Sequence, residues 1–144
     1  MKYLFTIMLF LLSFFAVSQT TKSVVLQESN YNNWYQCQES GRGKPSFFVS
    51  IGFTGKKAND GFYYYDVFFF NNSLYENGKE CSTYIKNLKY YVWYNNKWVL
   101  VFTQDYALVK PKTTSYDGIY HAVYVYNLEK IKKIKITWGE TYTY

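Results

Sequence analysis

His121 is the only imidazole in this chain of 144 residues, so any Ser-His-acid triad would have to be built on it. Strand alternation puts it on one face with Ile119 and Val123, the setting of a structural histidine rather than a general base. Glycoside hydrolysis would draw on Asp66, Asp105, Asp117 or Glu140. That chemistry needs two carboxyl groups about 5–10 Å apart, and the linear spacing pairs no two of them. Asn59-Asp60 together with Asp66 offers oxygens to Ca²⁺, yet Asn59-Asp60-Gly61 is first of all a turn signal. Two cysteines, Cys37 and Cys81, and one histidine fall short of a zinc cluster, so no metal and no other cofactor is expected. No glycine-rich loop leads from a strand into a helix to hold phosphate. The reading leans away from an enzyme.

The remaining chemistry is aromatic. Eighteen Tyr, twelve Phe and four Trp make up 24% of the residues, more than a core of this size has to hold. Tyrosine keeps a hydroxyl that wants water or a partner, and exposed rings on a rigid sheet can stack on sugars or anchor a protein. Trp34, Tyr35, Tyr116, Tyr142 and Tyr144 lie beside loops or at the chain end, and are the expected ligand-binding rings. The expected function is an exported, non-catalytic binding or accessory module that contacts a polysaccharide or a cell-envelope protein. Two alternatives stand beside it: an eight-stranded outer-membrane barrel, and a small secreted hydrolase working through carboxylates.

The location comes from the first residues. Lys2 precedes an almost wholly apolar run over residues 3–17, and Ala16 and Ser18 put small side chains at the −3 and −1 positions of a cleavage site before Gln19. This is the pattern of a secretory signal peptide over residues 1–18, shorter than a bilayer span, leaving one domain over residues 19–144. The formal net charge of +6 suits anionic surfaces, lipid headgroups or acidic polysaccharide. Only Lys130, Lys132, Lys133 and Lys135 cluster, and no nucleic-acid partner is expected. In an exported chain the two cysteines read as a structural Cys37–Cys81 disulfide, worth about 3–4 kcal/mol in the chain-entropy model.

The elements that must position these residues are strands. Residues 88–104 form a hairpin around Asn95-Asn96-Lys97, with Tyr94 expected opposite Trp98. Residues 22–28, 34–38, 46–54, 119–127 and 131–138 read as further strands, and residues 107–109 as a short edge strand. Residues 62–70, FYYYDVFFF, are apolar on both faces except at Asp66, as in a strand covered on both sides or one that walls a ligand site. The fold expected is all-β, an antiparallel sandwich of about seven or eight short strands. A small closed barrel is the alternative, because Ile134, Ile136, Trp138, Tyr142 and Tyr144 alternate up to an aromatic terminus. Against the barrel stand Glu140, which would point at lipid, and long connectors where turns should be short. Membrane insertion is therefore not expected.

Overall fold

β-Branched and aromatic residues at every second position, broken by Asn and Gly, leave the chain little but strands to form. The computed structural model describes residues 21–38, 42–111 and 119–144, with the side chains of 119–123 excepted. Nine strands follow in order: β1 (Lys22–Gln27), β2 (Tyr35–Gln38), β3 (Phe47–Phe53), β4 (Tyr63–Asn71), β5 (Thr83–Tyr94), β6 (Lys97–Val109), β7 (Ile119–Asn127), β8 (Lys133–Trp138) and β9 (Thr141–Thr143). They make two antiparallel sheets. One runs β1-β8-β5-β6, with β9 also paired to β5; the other runs β2-β3-β4-β7. Both sheets are open, so the architecture is the expected sandwich and the closed barrel is excluded.

The long hairpin β5–β6 departs from expectation by one residue. Asn95 and Asn96 both take positive φ, 49° and 59°, which makes a two-residue turn rather than a three-residue one. Lys97 therefore pairs with Tyr94, and the cross-strand aromatic pair becomes Trp93–Trp98, edge-to-face at 5.1 Å. The 107–109 segment is no separate strand. β6 runs unbroken from Lys97 to Val109, because a bulge between Tyr90 and Tyr91 takes up the register change.

Between the sheets lies a core of Phe47, Val49, Ile51, Tyr65, Val67 and Phe69 from one side and Ile85, Leu88, Tyr90, Ile134, Ile136 and Trp138 from the other. Two sets of hydrogen bonds lie at its ends. The Tyr31 hydroxyl donates to the Ile131 carbonyl (2.9 Å), and the Ile131 amide donates to the Tyr65 hydroxyl (2.7 Å), so one peptide is clamped by two tyrosines. At the other end the buried Asn71 amide donates to the carbonyls of Cys81 and Val109. Its carbonyl oxygen accepts from the Ser73 amide and the Thr83 hydroxyl. This network ties β4 to β5 and β6, hence one sheet to the other.

The disulfide is not formed. Cys37 lies on edge strand β2 of one sheet and Cys81 just before β5 of the other, and both thiols are free. The Cys37 thiol donates instead to the Tyr35 carbonyl at 3.7 Å, and burial pushes its pKa up to about 12. Cys81 is buried beside the Asn71 network, where desolvation also raises its pKa. Distance is the physical reason: a bridge requires the two β-carbons within about 4.5 Å, and the two cysteines are not close.

Candidate functional site

The outer face of the four-stranded sheet holds the most accessible set of rings. On β4, Tyr65, Val67 and Phe69 point inward, so alternation sends Tyr64, Asp66, Phe68 and Phe70 out. A sandwich of two layers covers only one side of each sheet, so the second apolar face of β4 meets solvent rather than a core. Beside Phe70 stand Trp34, from the turn before β2, at 5.9 Å and Phe48, from β3, at 6.1 Å. Trp34 and Phe48 are each tilted about 60° to Phe70, not stacked on it, and the three rings line a shallow apolar basin of about 270 Å³. Trp34 is 45% exposed.

Next along the sheet lies Gly52, paired with Asp66 across β3 and β4. The Phe68 ring rests where a Gly52 side chain would be: an added Cβ would come within 2.6 Å of it. On the loop side of Gly52 lies a pocket of about 440 Å³, lined by Gly52, Tyr64 and Asp66, by Phe53 and Asn32, and by Thr54, Lys56, Lys57 and Ala58 of the β3–β4 loop.

The walls of this pocket are set by local hydrogen bonds. Asn32, at φ 66°, grips the main chain of Phe53 through both ends of its amide, donating to the carbonyl at 2.9 Å and accepting from the N–H at 2.8 Å. In the loop, Asp60 accepts from the Phe62 amide at 3.0 Å and from the Tyr64 hydroxyl. The Tyr64 bond first, then the Phe62 amide, hold the Asp60 carboxyl below its ordinary range, and the same contact raises Tyr64. Beyond Tyr64 the strip continues onto β7, with Tyr126 at 5.9 Å and Phe62 edge-on to it. Tyr124 and Tyr126 are about 60% exposed.

The rings expected from sequence do not converge. Trp34 belongs to the basin. Tyr35 is half-buried and packs against the core from β2. Tyr142 lies on the other sheet, stacked on Tyr84, and Tyr144 ends the chain with its main chain paired to Ser82. Tyr116 lies outside the described residues, as does Asp117. Nor do the named carboxylates meet. Asp66 faces out from the four-stranded sheet, while Asp105 is on β6 of the other sheet and Glu140 pairs with Lys86 beside β9 at 3.3 Å. The His121 side chain is not among those described. Among the described residues no three His, Cys, Asp or Glu gather as a metal site.

Phe48, Phe68, Phe70, Tyr64, Tyr124 and Tyr126 were missed as site residues, though their signal was present. A strand apolar on both faces, next to one whose tyrosines alternate, is what a two-layer fold turns into an exposed aromatic wall. The chain matches no family model, no curated protein and no solved structure.

Proposed function

We propose that this protein is an exported, non-catalytic module that binds polysaccharide on the outer face of its four-stranded sheet. One observation carries the reading: the basin of Trp34, Phe48 and Phe70 leaves ring faces free beside a pocket that mixes Tyr64 with Asp66, Lys56 and Lys57. A pyranose offers an apolar C–H face and a rim of hydroxyls. The rings accept the first by stacking, and the carboxylate and ammonium groups take the second by hydrogen bonding. Rings carried on hydrogen-bonded strands have little backbone left to order on binding. Export through residues 1–18 belongs to the same proposal, and it sets the polymer among those of the cell envelope or outside the cell.

The test is affinity electrophoresis and calorimetry against a panel of neutral and acidic polysaccharides. Trp34→Ala should weaken binding about five- to 150-fold, since losing one stacking ring costs on the order of 1–3 kcal/mol. Tyr142→Ala on the opposite sheet should leave it unchanged. Equal affinity in the Trp34 variant and the wild type would refute the assignment of this face.

A further inference from the structure

The outer face of the five-stranded sheet is built for a different partner. At the end near the Asn95–Asn96 turn, β5 and β6 present Trp93, Trp98 and Leu100, and β8 adds Lys133 and Lys135. The Lys135 ammonium sits 4.6 Å from the ring centroids of both Tyr91 and Trp98, and Lys133 lies 5.6 Å over Trp93. The rings thus hold the cations in place without neutralising them. Neither lysine pairs with a carboxylate among the described residues; the ion pairs recorded there, Lys86–Glu140 and Lys130–Glu28, involve other groups.

Exposed aliphatic side chains share this region. Leu100 is 48% exposed and Val25, opposite Lys135 on β1, is 42% exposed. Branched aliphatic groups give nothing to a sugar chain, polyanionic or not. They do gain by entering the acyl boundary of a bilayer, where indole rings settle at headgroup level and lysines reach phosphate. A broad sheet face suits a broad surface.

We propose that this face docks on an anionic lipid bilayer, with Lys133 and Lys135 at the phosphates and Leu100, Trp93 and Trp98 at the acyl boundary. The proposal is independent of the glycan site, which lies on the opposite sheet. Docking by one face would leave the other turned toward polymer.

The test uses the protein in the form its cells accumulate, with vesicles of phosphatidylcholine alone or mixed with phosphatidylglycerol. The expected result is sedimentation with the mixed vesicles only, weakened by salt, and quenching of tryptophan fluorescence by brominated phosphatidylglycerol. The double variant Lys133→Gln/Lys135→Gln should partition about 25-fold more weakly, at roughly fivefold per lysine, and lose the quenching. Should that variant misfold by near-UV circular dichroism, Leu100→Glu at an exposed site carries the same test and should abolish quenching. Polysaccharide binding should survive in either variant, which separates this proposal from the glycan site. Unchanged quenching in the variants, or no binding to mixed vesicles at low salt, overturns the proposal. So does capture by an acidic polysaccharide in place of vesicles.

Discussion

Tyr84 on the five-stranded sheet lies between Tyr106 and Tyr142, stacked at 5.4 Å and 4.9 Å with the rings within 20° of parallel. On the four-stranded sheet Trp34 and Phe48 each meet Phe70 at about 60°, and the three rings line an open apolar basin. Both surfaces are rich in aromatic rings, but the rings are spent differently. In the tyrosine ladder both faces of the central Tyr84 ring are occupied by neighbours, and toward the hairpin turn lysines lie over Tyr91, Trp93 and Trp98. What reaches solvent there is ring edges, hydroxyls and charge, with the aliphatic Leu100 and Val25 beside them. In the basin the faces themselves are free. Aromatic content alone therefore does not define a stacking site; the orientation of each ring relative to its cross-strand neighbour does.

The largest effect expected from this contrast comes from two adjacent residues on β4. Phe69 is fully buried and Phe70 is in the basin. Phe69→Ala should cost about 3–5 kcal/mol, the range for deleting a buried phenyl ring. Phe70→Ala should cost about 1 kcal/mol or less, typical of surface substitutions, and remove polysaccharide binding instead. Urea midpoints and calorimetry on the two variants decide it. Equal destabilisation would mean that the outer face is a second core surface, covered by part of this chain.

That same pair marks what the sequence could and could not tell. The strand itself, its two apolar faces and the all-β class follow from alternation and turn residues alone, because local sterics and burial both act at a period of two. Which apolar face is covered depends on how the second sheet stacks, and nothing in residues 62–70 records that. The Cys37–Cys81 bridge failed for a related reason: two cysteines specify an opportunity, whereas where β2 and the segment before β5 come to lie decides the distance. Trp34 was legible because a turn leaves it beside a strand end. Gly52 was legible only as a break in β3; that it lies opposite Asp66, makes room for the Phe68 ring and borders a pocket needed the register of β4 against β3.

A second prediction concerns the layer between the two faces. Cys37 has an ordinary pKa of 9.0 and is pushed up to about 12 by burial. Burial also drives Tyr31 upward, and desolvation raises Tyr65 despite the Ile131 amide donating to it. In each case the folded state holds its proton to higher pH than the unfolded chain does. The stabilisation is thus complete below about pH 9 and is lost as pH rises toward the folded values. Each such group contributes a slope of up to about 1.4 kcal/mol per pH unit. Urea midpoints should be flat from pH 7 to about 9 and then fall, first through Cys37 and Cys81 and above about pH 10 through the tyrosines. Cys37→Ala should make the first fall shallower, and the double variant Cys37→Ala/Cys81→Ala should delay the onset to the tyrosine range. A midpoint that holds level to pH 11 would contradict the buried, protonated state of these groups.

The smallest effect tests the ladder directly. If Tyr84 and Tyr142 stack for the sake of the sheet, each single alanine variant should lose packing, and the double variant should lose less than the sum. An aromatic pair of this kind contributes about 0.5–1.5 kcal/mol beyond its buried area. An exposed pair belongs at the lower end, so the coupling expected from a double-mutant cycle is about 0.5–1 kcal/mol. Lys86 complicates the choice of variant, because its ammonium lies 5.4 Å from the Tyr142 ring and also pairs with Glu140. Running the cycle in an Lys86→Met background removes the cation and leaves the stack. Coupling that persists there belongs to the rings, and the ladder is structural. If the coupling vanishes, the tyrosine faces are not committed to one another. The five-stranded sheet would then have free ring faces as well, and the distinction between a stacking face and a charged face would no longer hold.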